Sequence, residues 1–159
     1  MVLPFILQPS FTLATQPQCK GISGKSWPSD ITWSNLNNSL SGRLLKPSPP
    51  EAVCHPDQPT YNPAICATVE ADWTLNTFHA DNPISSMENN WNNDTCLPNA
   101  TVCSGEGYPI YVINGICAND VKKGIDFARS KNIRLIVKGT GHDYLGRYWS
   151  PSLTLFMLF

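Results

Sequence analysis

Apolar positions recur at helical spacing in three stretches of the chain. In "PSDITWSNLNNSL", Trp33, Leu36 and Leu40 share a face behind Ser29 or Asp30, either of which can cap a helix. In "NPAICATVEADW", Pro63 stands just inside a helix start, and Ile65, Val69 and Trp73 follow four apart. In "ANDVKKGIDFARSKN", Asn119 can cap and Asp120 falls in the first turn, while Val121, Ile125 and Ala128 make one face. Arg129 and Lys131 close that helix at the end where its dipole favours cations, and Gly124 inside it costs about 1 kcal/mol relative to alanine. Two further runs, "YPIYVIN" and "IRLIVK", are β-branched and aromatic without that spacing, and read as strands. Strand, helix, strand in about thirty residues is a βαβ unit. Its strands are expected to be parallel, with a right-handed crossover.

The pattern before Tyr108 is different. Residues 19–107 are rich in cysteine, proline and asparagine, with short helices set in loops, and residues 108–159 carry the βαβ unit. Cys19, Cys54, Cys66, Cys96, Cys103 and Cys117 form no CxxC pair, so zinc ribbons and thioredoxin motifs are poorly supported. Short spacing makes Cys54–Cys66 and Cys96–Cys103 natural disulfides, although six cysteines allow 15 complete pairings. Sequons at Asn37, Asn93 and Asn99 are candidate N-glycan sites. With the cysteines they point to a secreted protein in an oxidising compartment. Residues 1–18 read as an atypical signal segment: "MVLPFIL" is apolar but short, interrupted by Pro4 and preceded by no basic residue.

Charge and composition narrow the partners. The net charge is −1 and charged residues are 14 %, so there is no basic stripe for nucleic acid. No apolar run reaches the eighteen or so residues of a membrane span, and "SLTLFMLF" is too short for one. His55 and His79 lack the spacing of a metal site. Trp33 and Trp73 lie on apolar helix faces and read as core, and Glu70, Asp72 and Asp81 read as solvated surface.

The candidate chemistry lies in "IRLIVKGTGHDYLGR". An apolar strand ends in Gly139 and Gly141, with His142 and Asp143 following. Ligands of parallel sheets sit beyond the carboxyl ends of strands, which is where this loop falls. It is neither a Walker A loop nor a dinucleotide GxGxxG, because the glycines fall at 139, 141 and 146 and the loop follows the second strand. From the residues alone, two readings stay open. One is an anion cradle for a group such as a pyrophosphate; the other is a tight turn with a hydrogen-bonded histidine.

"NIRLIVKGTGHDYLGR" resembles the covalent-flavin loop of FAD-linked oxidoreductases of the vanillyl-alcohol oxidase / p-cresol methylhydroxylase type. The berberine-bridge-like secreted fungal branch is the nearest match. "CKGISGKSWPSDITWSNLNNSLSGRLL", "VCHPDQPTYNPAIC", "NDTCLP", "GYPIYVIN" and "NDVKKGIDFARSKNIRL" fit the same branch, in order from about Cys19 to Arg147. The resemblance implies an α+β, p-cresol methylhydroxylase-type FAD-binding fold, of which this chain holds the first subdomain. It implies FAD as cofactor, attached covalently through His142, with Lys138, Gly139, Thr140, Gly141, Asp143, Gly146 and Arg147 as further cofactor-binding residues. Gly139 stands where the family usually has asparagine, and Tyr148 where it usually has serine. Cys117 is expected as a free buried thiol.

The implied activity is oxidation of an alcohol, sugar or secondary metabolite, with O2 reoxidising the flavin. The catalytic base, the substrate domain and any second flavin link through a cysteine are expected beyond Phe159. The chain as given is therefore expected to hold FAD weakly or not at all, and not to turn over. A different class stays open: a truncated, non-catalytic, disulfide-stapled secreted module. It is favoured if "SLTLFMLF" is an exposed strand without sheet neighbours, a feature that would also promote aggregation. A small cysteine-rich effector or lectin-like domain fits less well, because of the βαβ unit.

Overall fold

Helix α1 (Asp30–Ser39) starts at Ser29, as its apolar spacing predicts, in the computed structural model, which describes residues 27–87, 95–142 and, as backbone, 155–158. The Ser29 hydroxyl meets Thr32 Oγ1 at 3.0 Å instead of capping a backbone N–H. Strand β1 (Leu44–Leu45) and a 3-10 turn (Pro50–Cys54) lead to α2 (Pro63–Asp72) and α3 (Asn76–Asp81). Asn62 caps α2, its side chain accepting from the Ala64 and Ile65 N–H groups. The chain then forms β2 (Tyr111–Asn114), α4 (Ala118–Lys131), β3 (Leu135–Lys138) and β4 (Leu155–Leu158).

Among the described residues the strands make one sheet in the order β1-β2-β4-β3. Strands β2 and β3 are parallel, as expected, but they are not neighbours. Strand β4 lies between them, parallel to both, while β1 pairs antiparallel with β2. This corrects the expectation for "SLTLFMLF": its residues 155–158 form an interior strand paired on both sides, not an exposed edge. The ground for a non-catalytic module, and for aggregation through that segment, is lost with it.

Successive strand residues point to opposite faces, so Val112 and Ile113 enter two different cores. On one face Trp33 and Leu36 of α1, Leu40 at its C-cap and Ala128 of α4 bury Ile113 and Ile133. Trp33 stacks on Tyr111 at a centroid distance of 4.1 Å. On the other face Ala52, Ile84, Tyr108 and the Cys96–Cys103 disulfide cover Val112 and Ile136. Each fully buried aliphatic side chain contributes about 1.5–3 kcal/mol, so these two layers carry most of the fold. The second expected disulfide, Cys54–Cys66, ties the 3-10 turn to α2.

Several helix details differ from the sequence reading. Cys117, not Asn119, is the N-cap of α4. Cys117 is exposed, not buried, and is in no disulfide among the described residues; Cys19 lies outside them. Ile125 and Ile65 are about half exposed, while Gly124 lies on the buried face with Asp120 and Ala128. Asp120 is drawn inward by Arg43, whose guanidinium donates to both carboxylate oxygens at 2.7 Å. That pairing holds the Asp120 carboxyl below the usual carboxylate range. Trp73 is half-buried, not core.

Glu51 is a carboxyl group buried beside the second core. It is 1 % exposed, with the Tyr108 hydroxyl 3.4 Å from Oε1 and no protein partner at Oε2. Burial pushes its carboxyl up from 4.5 to about 8. Between those values the folded chain keeps a proton that the unfolded chain has released. Stability therefore falls as pH rises across that window. Denaturant midpoints at pH 5 and pH 8 should show this loss in the natural protein and a flatter response in Glu51→Gln. Equal slopes in the two proteins would mean that Glu51 is not protonated when buried.

Candidate functional site

The glycine loop begins where β3 ends. Asn114, Leu158 and Lys138 are in register at the carboxyl edge of the three parallel strands, and residues 139–142 continue from that edge. Gly139, Thr140 and His142 are exposed, and Gly141 is buried.

The two glycines do different work. Gly141 has φ +82°, a conformation costly for any residue with a Cβ. A Cβ there would also come within 2.9 Å of Lys138 Cε and 3.3 Å of the Ser85 carbonyl oxygen. At Gly139 a Cβ would meet nothing within 4 Å. Gly141 is thus fixed by the fold, while Gly139 leaves its side of the loop clear for an approaching group.

Beneath the loop lies a polar shelf formed by residues 79–86. Alternation along β3 puts Lys138 on the same face as Ile136, turned into the protein. Lys138 is fully buried, and its Nζ donates to the Ala80 carbonyl at 2.8 Å, in the last turn of α3. Burial lowers its amine from 10.5 to about 8, against the opposing pull of Asp81. The Ser86 hydroxyl donates to the Gly141 carbonyl at 3.0 Å. His79 binds Ser85 Oγ through Nδ1 at 2.6 Å and the Trp73 carbonyl through Nε2 at 2.7 Å. Asn82 Oδ1 accepts from the Ile84 and Ser85 N–H groups, fixing the turn between α3 and the shelf.

Of the residues singled out from sequence, Lys138, Gly139, Thr140, Gly141 and His142 come together here. Asp143, Gly146 and Arg147 lie outside the described residues. The Lys138 amine faces the shelf and not the exposed side of the loop. Sequence reasoning missed His79, Ser85 and Ser86. One signal was available: a lysine at an inward position of an apolar strand needs a buried acceptor. His55 is likewise structural, its Nε2 2.8 Å from the Leu97 carbonyl. It sits beside Cys96 and Cys103, but both sulfurs are committed to their disulfide.

Comparison with known proteins gives this geometry a context. The chain is 34 % identical over 137 residues to the VAO-type flavoprotein oxidase VAO615 of Thermothelomyces thermophilus, covering 82 % of this chain and 24 % of that protein. It is 35 % identical over 133 residues to the FAD-linked oxidoreductase patO of Aspergillus clavatus, covering 81 % of this chain and 23 % of that one. The crystal structure of the VAO-type flavoprotein MtVAO615 from Myceliophthora thermophila C1 superposes with a TM-score of 0.80 at 31 % identity. That match covers 89 % of this chain and 27 % of the solved one. The chain is homologous to one segment of the VAO-type, FAD-linked oxidoreductases. It spans about a quarter of the length of the curated relatives it matches. No family model matches it.

The features of this loop fit a nucleotide cofactor such as a flavin: clear space over Gly139, exposed Thr140 and His142, and a position at the carboxyl edge of parallel strands. Substitution should separate the two glycines. Gly141→Ala should lower stability by about 2 kcal/mol, from the left-handed backbone and the contact with Lys138. Gly139→Ala should stay within about 0.5 kcal/mol of the natural protein. Chemical denaturation measures both, and equal losses would contradict the assignment.

Proposed function

We propose that this chain supplies the flavin-attachment region of a secreted FAD-dependent oxidoreductase, with His142 as the covalent anchor. The observation that carries the reading is the position of His142: exposed, at the end of a parallel strand, directly after a glycine that the fold requires. Gly139 and Gly141 let backbone approach the cofactor closely, and the Thr140 hydroxyl is available to it. Asp143, Gly146 and Arg147 would continue the cofactor wall. When bound, FAD accepts a hydride from an alcohol, sugar or secondary-metabolite substrate and passes the electrons to O2.

His142 would hold the flavin through an imidazole nitrogen bonded to the 8α-methyl carbon, each partner giving up one hydrogen, with O2 as the two-electron oxidant that attachment would require. A tether of this kind keeps the cofactor in register.

Two disulfides support an oxidising compartment. No helix among the described residues is long and apolar enough to cross a membrane. Of the sequons, Asn99 is exposed in a turn and free to carry a glycan. The Asn37 side chain is engaged, accepting from the Leu44 N–H at 3.0 Å. Asn93 lies outside the described residues.

Acid precipitation of the flavin-loaded protein should leave a yellow, fluorescent pellet. Trypsin should place the flavin on the peptide "GTGHDYLGR". In His142→Ala the flavin should pass to the supernatant, unless a cysteine elsewhere also holds it, which the peptide map resolves. Flavin still on that peptide in the variant would rule out His142.

A further inference from the structure

We infer that Lys138 and Ser86 are positioning residues: they fasten the two ends of the 138–141 turn to one support, the 79–86 segment, and so set where His142 stands. The functional consequence rests on the flavin attachment proposed above.

The geometry forms a closed ring. At the start of the turn, Lys138 Nζ reaches the Ala80 carbonyl at 2.8 Å. At its end, the Gly141 carbonyl receives the Ser86 hydroxyl at 3.0 Å. Between these two ties Gly139 and Thr140 arch outward, exposed. The Lys138 stem also forms part of the floor under Gly141, where its Cε limits the room to that of a glycine. The support is itself braced: His79 joins Ser85 to Trp73, and Asn82 caps the turn that leads into Ile84 and Ser85.

A core-filling role does not account for the lysine. A methionine would occupy similar space with no amine to desolvate, and burying an amine is costly. What lysine adds is a donor long enough to reach the end of α3, where a carbonyl otherwise lacks a helical partner. His79 and Asp81 face the amine from α3: Asp81 favours its charge, and the amine in turn adds a small push against charge on His79, whose imidazole is lowered mainly by burial. Accurate placement of a nucleophile matters far more to rate than to affinity. A misplacement of about 1 Å can cost on the order of a hundredfold.

The test uses the whole protein with Lys138→Met, Ser86→Ala and, as a stability control in the other core, Ile113→Val. Three quantities are read: thermal midpoint, affinity for FAD before attachment, and the rate of covalent attachment. Lys138→Met and Ser86→Ala should each attach flavin roughly tenfold or more slowly, with affinity changed by less than about threefold. Ile113→Val should attach at the natural rate at a comparable loss of midpoint. Should Lys138→Met fail to fold, Ser86→Ala decides. Natural rates in the folded variants would overturn the inference.

Where the natural protein itself attaches no flavin, the attachment reading fails, and the amide resonances of Gly141 and His142 decide the present one. They should move in both variants and stay in place in Ile113→Val. Unmoved resonances in Lys138→Met and Ser86→Ala would overturn it.

Discussion

The hydrogen bond from the buried Lys138 amine to the Ala80 carbonyl joins two parts of the chain that lie far apart in sequence. One is the end of a parallel strand; the other is the end of a short helix 58 residues earlier. Once that bond exists, the Lys138 stem fills the space below Gly141, which excludes every side chain there and commits the backbone to a left-handed turn. The Ser86 bond then closes the turn from its other end. His142 leaves this closed unit with its side chain exposed. A loop of glycine and threonine, flexible by composition, is thereby given a definite shape before any ligand arrives.

The sheet explains why the loop is where it is. Parallel strands put all their carboxyl ends on one edge, and β2, β4 and β3 share that edge in register. The sheet face that buries Ile136 also buries Lys138, so the residue that anchors the loop is set by the same alternation that builds the core. Helices α1 and α4 are confined to the opposite face by Trp33, Leu36, Leu40 and Ala128. The Arg43–Asp120 pair, part-buried beside the start of α4, fastens the segment after α1 to that helix.

Much of this was legible because it is local. Trp33, Leu36 and Leu40 announce α1 by their spacing, the β-branched runs announce β2 and β3, and two short cysteine spacings announce the disulfides. Glycines after a strand mark the loop, and the family resemblance singles out His142 within it. What failed was non-local. Nothing within "SLTLFMLF" says that it enters between two earlier strands, so it read as an edge. The partner of Asp120 is Arg43, 77 residues away, and an aspartate in a first turn looks complete without it. His79 read as a lone histidine because its partners, Ser85 and the Trp73 carbonyl, are brought to it by a turn that Asn82 shapes. The start of α2 at Pro63 read correctly, whereas the α4 cap fell on Cys117, which makes no side-chain cap bond, and not on Asn119.

The protein alone holds the loop in shape. Backbone ¹⁵N relaxation on flavin-free protein tests it most directly, through the order parameters of Gly139, Thr140, Gly141 and His142. A turn fastened at both ends should give values near those of rigid backbone, about 0.85. Values below about 0.6, the range of flexible loops, would show that the shelf does not hold the turn.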